Sequence, residues 1–239
     1  MKIGRIRIGL GVLLFGLTLA GAAWAQSGDA SEEANTRGID LIKAGRYQEA
    51  VRYFTEAIRL NPRLAEAYTN RGIAYAKLDQ PQRAIQDFDQ AIKINPRLAE
   101  AYYSRGLAYH KLGQPQRAIV DYDKAIDINS KNATAYYNRG LAYDEVGQLQ
   151  RAIEDYTEAI KRIPGFAEAY NGRGVAYGKL DQPQRAIQDF DQAIKINPRF
   201  AQAYYNRGMA YHKLGQRQRA AEDFKNARDI DPSLPKPPG

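Results

Sequence analysis

The 239-residue chain has no cysteine and only two histidines. Without cysteine no disulfide can staple the fold and no thiol can carry a lipid. Nor does the sequence hold a catalytic constellation: its serines have no base beside them and its acids are scattered over helical patterns. A glycine-rich phosphate loop needs a strand before it, and no strand pattern is evident. A large excess of one charge is also missing. The formal net charge is +8, from 35 cationic and 27 acidic side chains.

What is present is repetition. The 21 residues "KLDQPQRAIQDFDQAIKINPR" at 77–97 return unchanged at 179–199, 102 residues later. That offset is three times 34, and a shift of 34 superimposes Gly38, Gly72, Gly106, Gly140, Gly174 and Gly208. Six repeats follow without insertion or loss: 31–64, 65–98, 99–132, 133–166, 167–200 and 201–234. A gapless array of short repeats predicts a solenoid rather than one or two globular domains. Copying three repeats as a block accounts for the 102-residue echo. The remaining residues, 235–239, read as a Pro-rich tail.

Before the array, residues 1–25 read as a secretory signal peptide. Lys2, Arg5 and Arg7 precede an uncharged apolar run, and Ala23-Trp24-Ala25 supplies a small-x-small cleavage site. The rival reading is an uncleaved anchor, because the 18 residues from Ile8 to Ala25 approach the lower limit for a membrane span. With the leader removed and 26–30 left as a short linker, 32 cations face 27 acids, a mildly basic +5. Arginine at repeat position 19 precedes aspartate at position 23 in five repeats, from Arg83/Asp87 to Arg219/Asp223. Pairing at i,i+4 is expected there. So modest a balance argues against nucleic acid as a partner.

Within a repeat, positions 4, 8 and 11 (Tyr68, Gly72 and Tyr75) have helical spacing. Positions 20, 21, 24, 27 and 28 (Ala84, Ile85, Phe88, Ala91 and Ile92) form a second apolar stripe. Two helices per repeat are predicted, the second opened by Pro81, Pro115 or Pro183 at its first turn. A helical glycine costs about 1 kcal/mol relative to alanine. At position 8 the return is expected to be close approach to the alanine at position 20. Gly172 and Gly178 are further glycines in one first helix, so alanine at both is expected to stabilise it. Arginine at position 7, in all six repeats, is expected to be structural and a partner for the position-23 aspartate.

The motif aromatic-x-x-Arg-Gly-x-Ala-Tyr, then alanine, Phe or Tyr, alanine and proline at a 34-residue period, resembles the tetratricopeptide repeat over residues 31–234. Position 4 carries tyrosine in five repeats where the family usually has tryptophan, and the first repeat has Ala34 and Leu41 at positions 4 and 11. The resemblance implies an all-α, right-handed superhelical solenoid of antiparallel helix pairs whose first helices line a concave groove. At the far end Ala221 replaces Val51, Ile85, Ile119, Ile153 or Ile187 of earlier repeats, and Arg228 replaces isoleucine, which reads as a built-in cap.

The histidines, His110 and His212, both occupy position 12, three repeats apart. At about 10 Å between packed helices they stand roughly 30 Å apart, far beyond shared ligation of a metal at about 2 Å. Neither metal nor cofactor is expected, and no enzymatic activity.

On a helical wheel positions 2, 5, 6, 9, 12 and 13 of the first helix fall on the arc that the packing stripes leave over. Tyr103, Tyr137 and Tyr205 lie there at position 5, beside Asn70, Ser104, Asn138 and Asn206 at position 6, with Gly172 interrupting the row. Such tyrosines are either tolerated helix residues or a binding row. Rigid aromatic faces beside amide groups suit an extended ligand. The resemblance implies that asparagines at this position clasp a bound peptide's backbone. A terminal-carboxylate clamp is not expected, since position 9 holds Ile73, Leu107, Leu141, Val175 and Met209. Lysine at position 13 either compensates the helix dipole or meets ligand carboxylates. The expectation is an exported, periplasmic or secreted, scaffold that binds a segment of another protein, in an envelope or cell-wall complex. The alternative is a glycan or peptidoglycan binder whose tyrosines stack on sugar rings.

Overall fold

The computed structural model describes residues 30–236; the leader assigned to residues 1–25 and the linker through residue 29 lie outside the described residues. Twelve helices and no strand occur among the described residues. Helix α1 includes residues 30–43. It is followed by α2 (Tyr47–Leu60), α3 (Ala65–Lys77), α4 (Pro81–Ile94), α5 (Ala99–Lys111), α6 (Pro115–Ile128) and α7 (Ala133–Glu145). Then come α8 (Leu149–Arg162), α9 (Ala167–Lys179), α10 (Pro183–Ile196), α11 (Ala201–Lys213) and α12 (Arg217–Ile230). Odd-numbered helices are the first of each repeat and even-numbered ones the second.

Two compact parts divide the described residues, with the boundary between Pro96 and Arg97. The first holds α1 to α4 and the second α5 to α12. In each, the helices of a repeat pack against one another and the second helix packs on the first helix of the next repeat.

The turn inside each repeat reverses the chain through one left-handed residue. Gly45, Gly113, Gly147 and Gly215 have φ of 69–77°, while Asp79 and Asp181 take the same conformation at 60° and 61°. Aspartate is among the few non-glycine residues that tolerate it. Three of the second helices then begin with proline, where the missing N–H costs nothing. The first helices largely lack side-chain caps. Among the described first-helix starts Asn132 is the exception, accepting the Ala135 N–H at 3.1 Å.

Phe54, Phe88, Tyr122, Tyr156, Phe190 and Phe224, at position 24, are buried at the centre of each pair. Full burial of such a side chain is worth about 1.5–3 kcal/mol. These rings, rather than the position-20 alanines, explain the glycine at position 8. A Cβ on Gly72 would come within 2.6 Å of the Phe88 ring, and one on Gly140 within 2.9 Å of Tyr156.

Position-7 arginines clamp the position-23 aspartates as expected. Arg71 holds Asp87, Arg105 holds Asp121, Arg139 holds Asp155, Arg173 holds Asp189 and Arg207 holds Asp223, each through two N–H···O bonds of 2.7–2.9 Å. The expected i,i+4 pairing from position 19 is corrected accordingly. Both carboxylate oxygens are occupied by the fork, and the position-19 arginine turns back to glutamine at position 16, as Arg117 does to Gln114 at 2.9 Å. Its guanidinium covers the position-11 tyrosine instead, 3.9 Å from the ring centroid for Arg117 over Tyr109 and Arg185 over Tyr177.

Candidate functional site

Within the second part, successive first helices touch, α5 with α7, α7 with α9 and α9 with α11. No comparable contact joins successive second helices among the described residues. The first-helix row is therefore the tighter side and forms the inner wall of this part.

Tyr103, Tyr137 and Tyr205 lie on that wall, but they are half-buried rather than free of packing. Their ring centroids stand 6.0 Å from Tyr122, 5.9 Å from Tyr156 and 5.5 Å from Phe224, the position-24 ring of the same repeat. Tyr137 also meets Phe166 at 4.9 Å. The expectation that no packing contact needs this arc is thus corrected. Glycine at position 8 lets the inner ring lie so close to the first helix that position 5 closes over it.

Polar ends of the row are tied together across repeats. Asn138 Nδ2 donates to the Tyr103 hydroxyl at 3.0 Å and to the Thr134 carbonyl at 2.8 Å. Asn206 Nδ2 donates to Asn171 Oδ1 at 2.9 Å, while its own Oδ1 accepts from Gln202 at 3.0 Å. In the first part Asn70 Nδ2 makes the same bond to Asn35 Oδ1, at 3.0 Å. Position 6 of one repeat therefore donates to position 5 of the repeat before it. Asn35 and Asn171 were missed from the sequence, although a polar residue 35 positions before each asparagine was the visible signal. Ser104 is half-buried beside Tyr103.

Gly172, which breaks the position-6 row, has its own packing cause. A Cβ there would meet Tyr156 Cζ at 2.9 Å, whereas one on Gly178 would meet nothing within 4 Å. The two glycines are therefore not equivalent, contrary to the expectation from sequence.

Position 9 supplies an apolar stripe to the same wall. Leu107 and Met209 are 38% and 40% exposed, and Leu141 and Val175 between them are half-buried. At the helix ends, Lys179 Nζ bonds to Asp144 Oδ2 at 2.6 Å, and His110 Nε2 lies 2.9 Å from Glu145 Oε1. Lys213 pairs with Asp181 at 2.6 Å. Lys179 and Lys213 thus engage acids of the preceding repeat, whereas Lys43 bonds to Asp40 of its own. Two polar atoms here are buried without a partner, the Tyr122 hydroxyl and Asp144 Oδ1. Burial pushes the Tyr122 phenol far above the ordinary tyrosine range, with smaller contributions from Tyr103, Asp121 and Glu145. Tyr156 is raised in the same way, Asp144 adding to the effect of burial.

The wall offers aromatic, amide and apolar groups in a regular row, and among the described residues no cluster of three histidine, aspartate or glutamate side chains gathers as cation ligands. No helix of the described residues is long and apolar enough to cross a membrane.

Family models described as tetratricopeptide repeat match residues 35–98, 99–132, 133–166, 167–200 and 201–234. A 40-residue stretch is 45% identical to Hsp70-Hsp90 organizing protein 1 of Glycine max, spanning 17% of this chain and 7% of that protein. Among solved structures, MamA is 28% identical with a TM-score of 0.64, over 67% of this chain and 94% of its own. YrrB, described as a tetratricopeptide-repeat protein with an unusual peptide-binding site, is 26% identical with a TM-score of 0.66, over 75% and 93%. The pilus biogenesis factor PilW shares the fold at a TM-score of 0.76 and 20% identity, over 85% of this chain and 94% of its own.

Proposed function

Because this chain belongs to the tetratricopeptide-repeat family, we propose that it is an exported, non-enzymatic scaffold whose first-helix wall holds an extended segment of another protein. The observation that carries the reading is the stripe at position 9. Leu107 and Met209 keep more than a third of their surface in solvent on a wall where apolar side chains have the option of packing inward. Beside them Asn138 spends its N–H donors within the chain, which leaves its carbonyl oxygen to accept from a ligand's backbone. Peptide binding by the structurally similar YrrB supports the same assignment. Export rests on the leader sequence and is tested by intact-mass analysis, with a mature chain beginning at Gln26 as the expected product.

A photo-crosslinking side chain placed at Leu107 or Met209 is expected to capture a protein partner in cells. The same group at Val120, 60% exposed on the second helix α6, is expected to capture little. Equal capture from both faces sinks the reading. The glycan alternative draws on the position-5 tyrosines, but these are half-buried, in tilted contact with the position-24 rings. Retention of the chain on isolated peptidoglycan, competed by sugar fragments and not by peptides, would restore it.

A further inference from the structure

Charge on the inner wall breaks the repeat pattern at one place. Position 13 is lysine in five repeats, but the fourth has Glu145, 51% exposed at its side chain and 2.9 Å from His110, while Asp144 before it is paired with Lys179. Position 33, in the turn that leads to the next first helix, is Arg63, Arg97, Lys131 or Arg199 in four of the first five repeats; the fourth has Gly165. Exposed Glu168, three residues on, therefore lacks the cation that stands in the corresponding place beside Glu100. Both departures flank Tyr137 and Asn138, one at each end of the first-helix row. The charge of Glu168 reaches the Tyr137 phenol, which burial first and that carboxylate second push above its ordinary value.

Spacing along the wall adds a second constraint. Leu107, Leu141, Val175 and Met209 recur once per repeat, at about 10 Å between packed helices. A chain in polyproline-II conformation advances about 3.1 Å per residue and presents the same face every third residue, or about 9.3 Å. A β-strand presents one face every second residue, about 6.6 Å, so a step of about 10 Å spans about three residues and every other repeat meets its opposite face.

Resting on the peptide-binding reading above, we infer that the occupant of the inner wall is an extended segment with an apolar residue at every third position and a lysine or arginine between the two that meet Leu141 and Val175. The apolar residues sit on the position-9 stripe. The cation meets the exposed carboxylate of Glu145, one helical turn beyond Leu141 on the same face, where the other repeats carry lysine.

Peptides selected from a random display library on the full chain test this. They are measured by fluorescence anisotropy against the wild type, against Glu145→Lys combined with Gly165→Arg, and against Leu107→Asp combined with Met209→Asp. The first variant restores residues that other repeats carry, so folding is preserved; circular dichroism checks both. The expected peptides have apolar residues three apart around a central cation, bind at least tenfold more weakly to the first variant, and lose binding to the second. Peptides that need Leu107 and Met209 but have another spacing, or no cation, overturn the inference and leave the peptide-binding wall standing. If every recovered peptide ignores both variants, or none is recovered, the inference and the reading beneath it both fall.

Discussion

Arg139 grips Asp155 with a two-pronged fork, Nε to Oδ2 and Nη2 to Oδ1, both at 2.7 Å, and its third nitrogen reaches Asp123 at 2.6 Å. Burial works against the arginine's charge, but the bonds and fields of Asp155 and Asp123 outweigh it, and the guanidinium is held above its ordinary range. The side chains of Arg139 and Asp155 are 18% and 7% exposed. Removing one partner strands the other charge, so Arg139→Ala should cost about 3–5 kcal/mol in urea unfolding. The double variant Arg139→Met, Asp155→Leu should lose less than the single one. A single loss below about 1 kcal/mol would show the pair to be a surface ornament.

Tyr122 occupies a place where Phe54, Phe88, Phe190 and Phe224 serve other repeats, and its hydroxyl is buried without a partner. Tyr122→Phe should therefore stabilise the chain by about 1–2 kcal/mol, the cost of an unmade hydrogen bond. The sign of the pH effect follows from the raised phenol. Above about pH 10 the unfolded tyrosine loses its proton while the folded one keeps it, so stability falls as pH rises. Chemical unfolding at pH 8 and pH 11 should show a shallower fall in the variant.

Gly172 and Gly178 separate by what an added methyl meets. Gly172→Ala drives a Cβ into Tyr156 and should destabilise by about 1–3 kcal/mol. Gly178→Ala enters open space in the same helix and should stabilise by about 0.5–1 kcal/mol. Melting temperatures that move in the same direction for both would refute the packing role of Gly172.

Ala221 and Arg228 are exposed on α12, where earlier repeats carry isoleucine against the next first helix. Replacing both by isoleucine should recreate a docking face and make the chain self-associate, read as a concentration-dependent mass in analytical ultracentrifugation. A strictly monomeric variant would mean that the exposed end of α12 is closed by something other than these two residues.

Much of this was legible beforehand because one period governs everything. Helix starts, turns and the Arg–Asp clamps repeat every 34 residues, so each was seen five or six times in the sequence. What escaped were relationships set by three-dimensional reach. A helical wheel treats Tyr137 as lying on a free arc, since it contains no second helix; Tyr156 reaches it only because Gly140 removes the atoms between. Likewise the i,i+4 distance from Arg151 to Asp155 looked favourable, but Arg139, 16 residues before, offers a better-matched fork. The asparagine ladder needed the offset of 35 rather than 34, and self-comparison at the repeat length passes over it.

The clamp has a consequence for ancestry. Arg and Asp of each fork belong to the same repeat, and only a single additional nitrogen reaches back to the neighbour, to Asp123 from Arg139 or to Thr157 from Arg173. A recombination event that inserts or deletes whole repeats therefore carries each forked aspartate together with its arginine, and strands none of these buried pairs at the junction. Such a chain can change length in steps of 34 residues at little electrostatic risk, which is the circumstance under which a 21-residue phrase can be written twice and kept.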